Sequence, residues 1–98
     1  ESVGSRRRQI QETARRTQRL RERSREISNV AKTIEDLARR AALVALNASI
    51  QSSEMGEAGR GFAIVSGEIE RLAARAEETG RTVASLNKAV DAEIGEVE

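Results

Sequence analysis

The chain of 98 residues contains no cysteine, proline, histidine, tryptophan or tyrosine, and only one phenylalanine. Each absence excludes something. Without cysteine there is no disulfide and no thiolate metal site, which fits a reducing compartment. Without histidine the commonest general base and metal ligand is missing. No Ser-His or Cys-His pair can form; carboxylate chemistry stays open, but an all-helical rod offers no obvious pocket for it, and no enzymatic activity, metal or cofactor is expected. Without proline nothing interrupts a long helix by ring clash or a lost donor. A single aromatic supplies a compact globular core poorly. No apolar run approaches the length of a membrane span, and no signal-peptide pattern is present. The first residue is Glu1, and the chain reads as part of a longer protein whose membrane anchor, if it has one, lies elsewhere.

What remains is a composition with 34% charged residues, rich in Arg, Glu and Ala, which favours long helices or a coiled coil. Three of the seven glycines, Gly56, Gly59 and Gly61, cluster between two runs with apolar residues at helical spacing. Glycine is the usual residue where a helix must end or the chain reverse. The chain is therefore expected to be all-α, one partial domain spanning 1–98. Its parts are a descending helix over 6–54, a hairpin turn over 55–61 and an ascending helix over 62–97, with 1–5 frayed. Gly-x-x-Gly-x-Gly also resembles a phosphate loop, but neither a preceding strand nor a Gly-Lys-Ser/Thr follows the required pattern.

Alternating steps of three and four from Ile10 pass through Leu20, Ser24, Ile27, Ala31, Ile34, Ala38, Ala41, Ala45, Ala48 and Ser52 without meeting a charge. The same steps from Phe62 pass through Val65, Ile69, Leu72, Ala76, Val83, Leu86 and Val90, and meet a charge first at Glu93. Apolar spacing of 3.5 sustained over several heptads is the coiled-coil pattern. A fold centred on Glu57 would set Ala45 against Ile69, Ala41 against Leu72 and Ile27 against Leu86. With arms of about 40 residues such a rod is on the order of 60 Å long, and the first fifteen or so residues stay without a partner. Val30, Leu37 and Val44 recur at seven beside this stripe. They predict that two hairpins pair as a homodimer, an antiparallel four-helix bundle.

Near the turn, Leu43, Leu46 and Ile50 form a second stripe, displaced around the helix. It reads either as a broader bundle core or as a patch for association between tips. The segment from Arg6 to Arg25 holds nine arginines against Glu12 and Glu22. A structural coiled coil whose basic arm binds nucleic acid or an anionic membrane is the alternative reading. The apolar register passes straight through this arm, and the acidic residues Asp91, Glu93, Glu96 and Glu98 could lie along it in an antiparallel pair.

Val44-Ala45-Leu46-Asn47-Ala48-Ser49-Ile50, then Gly56-Glu57-Ala58-Gly59-Arg60-Gly61-Phe62-Ala63-Ile64-Val65, then Gly67-Glu68-Ile69 and Leu72-Ala73 resemble the signalling tip of bacterial methyl-accepting chemotaxis proteins. The resemblance runs without a gap over about half the chain, from Ile27 to Ala73. It implies a cytoplasmic signalling hairpin that dimerises, binds the coupling protein CheW and the histidine kinase CheA at its tip, and controls kinase activity. It also implies gathering of dimers into larger receptor assemblies. On this resemblance Glu57, Arg60, Phe62, Ile64 and Val65 match coupling-protein and kinase contacts. From the residues alone, Glu57 and Arg60 could instead satisfy helix-end groups, and Phe62 could belong to the core of the tip. Arg39, Leu43, Leu46, Asn47, Ile50, Gln51 and Glu54 match positions of contact between dimers.

Two departures fall on that last surface. Arg39-Arg40-Ala41-Ala42 stands where the family usually has Phe-Gln-Thr-Asn, and Gln51-Ser52-Ser53-Glu54 where it usually has Glu-Ala-Ala-Arg. Copies of Arg39 or Glu54 brought together around an axis would repel unless Arg39 meets a carboxylate across the interface. The assembly above the dimer is left open by this. Glu77-Glu78 lies about twenty residues past the turn, away from the family's methylated pairs, and reads as a solvated face.

Overall fold

The computed structural model describes residues 2–97. Two helices, α1 (Val3–Glu54) and α2 (Arg60–Val97), run antiparallel and are joined through Met55 by a single 3-10 turn at Gly56–Gly59. There is no strand among the described residues. The chain is an all-α hairpin, 81 Å long and 16 Å across. Glu1 and Glu98 lie outside the described residues.

Helix α1 starts earlier than periodicity indicates. Ser2 has an extended backbone, and its hydroxyl accepts the Ser5 amide at 3.2 Å, so the first turn is capped at Val3. Helix α2 likewise begins at Arg60, before the first apolar residue of its stripe. The rod exceeds the expected 60 Å because α1 continues past the end of α2. In the observed register Ala14 stands opposite Val97, and the helix before it has no residue of α2 beside it.

The contact between the helices is a seam of small residues repeating every seven. On α1 it is Ser24, Ala31, Ala38, Ala45 and Ser52, and on α2 Gly59, Ser66, Ala73, Gly80, Asn87 and Ile94, all of them buried. Such residues let two backbones approach closely. A Cβ on Gly80 would lie 3.1 Å from the Ala31 carbonyl oxygen and 2.9 Å from Cγ of Glu35. The fold is thus centred between Met55 and Gly56, not on Glu57. Ala31 faces Gly80, and Ser24 faces Asn87. The pairings of Ala45 with Ile69, Ala41 with Leu72 and Ile27 with Leu86 are displaced accordingly.

One polar layer interrupts the seam. The Asn87 side-chain amide donates to the Ser24 carbonyl oxygen at 2.7 Å. The Ser24 hydroxyl lies within reach of both Asn87 Oδ1, at 3.1 Å, and an Asp91 carboxylate oxygen, which share its one proton. A one-heptad slip that set Asn87 against Ala31 would still offer its amide a backbone carbonyl, but would take away the hydroxyl that Asn87 Oδ1 and Asp91 share, so this layer favours the observed register.

The large apolar side chains are elsewhere. Ile34, Leu37 and Ala41 of α1 line one groove together with Ile69, Leu72 and Ala76 of α2. Heptad spacing continues this face through Ile27, Val30 and Val44 on α1 and Phe62, Val65, Leu86 and Val90 on α2. All seven are exposed in the hairpin. Among the described residues the buried hydrophobic side chains are only Ala31, Ala38, Ala45, Ala73 and Ile94. Four alanines and one isoleucine cannot offset the backbone entropy of two long helices, so the hairpin needs a partner along this face.

Candidate functional site

The tip is built by two glycines with different tasks. Gly56 has φ +65°, the left-handed conformation that ends α1, and a Cβ there would meet nothing. Gly59 has ordinary φ but no room: a Cβ would lie 2.0 Å from the Ser52 carbonyl oxygen. That oxygen also accepts the Met55 amide at 3.1 Å. Gly61, grouped with the turn from the sequence, lies inside α2 with open space around it. The hydroxyls of Ser52 and Ser53 fold back onto the carbonyls of Ala48 and Ile50, both at 2.7 Å.

Beyond this turn Arg60 donates to Glu57 at 2.8 Å across one helical turn, with both side chains in solvent. They bind each other, and no side chain caps the 3-10 turn. An exposed pair of this kind adds at most about 1 kcal/mol to stability. Its usefulness lies in presenting a carboxylate and a guanidinium in fixed relation at the apex.

The residues matched to coupling-protein contact do not share one face. Phe62 and Val65 belong to the apolar face that also carries Ile69 and Leu72, whereas Ile64 lies on the back of α2, away from the seam, and Glu57 is exposed in the 3-10 turn before it. Phe62 and Ile64 are each 65% exposed. A ligand at the tip would meet Glu57, Arg60 and Ile64 from outside, with Phe62 and Val65 reached around the edge.

The residues matched to contact between dimers form a ridge. Leu43, Asn47, Ile50 and Glu54 lie on the side of α1 turned away from α2, all exposed. Leu43 and Leu46 line a second groove with Arg39, Ala42, Glu70 and Glu77, on the opposite side of the seam from the apolar face. Gln51 is exposed and sits on the other flank, in line with Val44. The second stripe is therefore separate from the face that carries Ile34 and Leu72.

Glu77 is the residue that periodicity missed. It is not a solvated acid. Its side chain is 24% exposed, and one oxygen, Oε2, accepts Arg39 Nη1 across the seam at 3.1 Å and Arg81 Nη1 along α2 at 3.3 Å. The Glu77–Arg81 spacing of four was the available signal; the partner across the seam required the register. Asn87, Ser24 and Asp91 were missed for the same reason.

The basic arm runs beside the acidic end of α2, where Asp91, Glu93 and Glu96 fall opposite 15–20 in the observed register. Among the described residues no group of His, Cys, Asp or Glu is placed to hold a metal ion. Among the described residues no helix is long and apolar enough to cross a membrane. The site offers surfaces and paired charges, which is the chemistry of protein docking.

Comparison with known proteins gives a family for such a hairpin. Residues 1–98 match the model of the methyl-accepting chemotaxis protein (MCP) signalling domain. The chain is 42% identical to Protein PilJ of Pseudomonas aeruginosa over 92% of its own length and 13% of that protein. It is 36% identical to methyl-accepting chemotaxis protein CtpH of the same organism, over 92% of the chain and 15% of that protein. It is 35% identical to methyl-accepting chemotaxis protein I of Escherichia coli, over 76% of the chain and 13% of that protein. The chain thus spans about an eighth to a seventh of the length of these relatives.

Proposed function

The chain belongs to the methyl-accepting chemotaxis protein family as one of its signalling domains, and on that premise we propose that it is the kinase-control tip of a chemoreceptor-like transducer. Two hairpins pair through the face carrying Ile34, Leu37, Ile69 and Leu72 into an antiparallel four-helix bundle. The tip of this homodimer docks a CheW-type coupling protein and a CheA-type histidine kinase in the cytoplasm. Input from a sensor elsewhere in the parent protein changes the tip and so the kinase's activity, which is chemotaxis-type two-component signal transduction. The chain itself performs no catalysis. Dimers associate further through the Leu43–Ile50 ridge of α1.

The observation that carries this reading is the apex, where the Glu57–Arg60 pair stands in solvent beside exposed Ile64 and Phe62. An apolar patch rimmed by opposite charges suits a modest, reversible protein interface. Arg60 binds Glu57 one turn away and not a residue of α1, so its removal is expected to leave the fold intact. Calorimetric titration of the dimeric protein with its CheW-type partner is the test. Arg60→Ala is expected to weaken binding at least tenfold, a loss of about 1.4 kcal/mol, with helicity and dimer unchanged. Equal affinity for the variant would remove Arg60 from the interface.

A further inference from the structure

We propose that Glu77 is a positioning residue for association between dimers, because it holds the Arg39 guanidinium against α2 and away from the α1 ridge. The inference rests on the reading above that this ridge, Leu43 to Ile50, meets a second copy of the dimer.

Arg39 occupies the same heptad position as Leu46, two turns further from the tip, and both line the groove beside the ridge. A free guanidinium there would enter any contact made by Leu46 and face its symmetry mates. Around a shared axis the like charges would repel and would have to shed water. The structure supplies the missing carboxylate from within the same hairpin. Glu77 takes Arg39 at 3.1 Å and Arg81 at 3.3 Å on one oxygen. Glu70 lines the same groove and adds a second negative charge. Arg81 does not line the groove but is bonded to Glu77 from α2, and with it the cluster of Arg39, Arg81, Glu70 and Glu77 sums to zero before any partner arrives. The occupant that suits it is another copy presenting the same apolar ridge, since a balanced rim neither attracts nor excludes its own image. A strongly charged partner would gain nothing from this rim.

Arg39 therefore acts through Glu77. With the carboxylate in place, the arginine contributes its aliphatic stem to the flank of the ridge. With the carboxylate neutralised, the same arginine swings free and opposes the contact.

The test uses the full-length receptor with a single cysteine introduced at Ser53, and reads the yield of products linked between dimers by a thiol cross-linker. Circular dichroism and the dimer's mass serve as controls. Glu77→Gln is expected to lower the between-dimer yield by about threefold or more, the scale of an uncompensated like-charge contact. Arg39→Gln in the Glu77→Gln background removes the freed cation and is expected to restore the yield above that of Glu77→Gln alone. Leu46→Asp tests the ridge itself and is expected to abolish the product. An unchanged yield in Glu77→Gln, or failure of the double variant to restore it, while Leu46→Asp still abolishes association, would overturn the role of Glu77 alone. An unchanged yield in Leu46→Asp would overturn the ridge as the contact, and the role of Glu77 with it.

Discussion

Replacing Gly59 by alanine should damage the tip more than replacing Gly56 or Gly61, although Gly59 has unremarkable backbone angles. A Cβ there would sit 2.0 Å from the Ser52 carbonyl oxygen and 2.8 Å from its carbon. Carbon and carbonyl oxygen normally stop approaching at about 3.3 Å, so the gap must open by more than ~1 Å. The obstacle is backbone, and no rotamer change can remove it. Overpacking of this kind costs about 1–3 kcal/mol. The displaced oxygen also accepts the Met55 amide, and losing that bond adds about 1 kcal/mol. The expected total is about 2–4 kcal/mol per hairpin. Gly56→Ala should cost only the left-handed conformation, about 1–2 kcal/mol, since nothing lies near its Cβ. Gly61→Ala, in open space within α2, should stabilise by about 0.5–1 kcal/mol. Urea unfolding followed by circular dichroism, at one protein concentration because a dimer's midpoint depends on it, gives the three values side by side. If Gly59→Ala unfolds together with Gly61→Ala, the close approach at Ser52 is not what shapes the tip.

Two other substitutions probe the length of the rod. Asn87→Ala removes the amide that binds the Ser24 carbonyl and should lower stability by about 1–3 kcal/mol per hairpin; an unchanged urea midpoint would mean that the polar layer does not hold the register. Leu72→Asp puts a charge in the middle of the apolar groove and should convert the proposed dimer into poorly helical monomers in sedimentation equilibrium. A persistent helical dimer would show that the partner does not cover this face.

The sequence made the two helices and the place of reversal visible, because proline is absent and the glycines between the apolar runs are concentrated. It also made the face of α2 from Phe62 to Val90 visible, since large apolar residues dominate a hydrophobic period. The contact within the hairpin was hidden for the same reason. Ala31, Ala38, Ala73 and Gly80 carry little hydrophobic signal, yet they are what the helices press together. On α1 the periodic list mixed seam residues such as Ala38 with groove residues such as Ile34, whereas on α2 it followed the groove alone. Matching the two lists displaced the fold centre to Glu57. The surfaces at the tip were legible only through the resemblance of Gly56-Glu57-Ala58-Gly59-Arg60-Gly61-Phe62 to a known family. Nothing in periodicity distinguishes Glu77, which bridges two arginines, from its exposed neighbour Glu78.

The seam has a mechanical consequence. Small residues alone would form a smooth track, along which one helix could slide past the other at little cost. This track is clamped at both ends. At the tip the Gly59 backbone is lodged against Ser52, and roughly 42 Å away, at about 1.5 Å per residue, Asn87 is pegged to Ser24. Between the clamps a longitudinal push on α2 relative to α1 has nowhere to go. A displacement applied at the open end must cross this stretch as bending, twisting or a change in how two hairpins press together. The hairpin is a strut that transmits torque and flexure, and a poor piston.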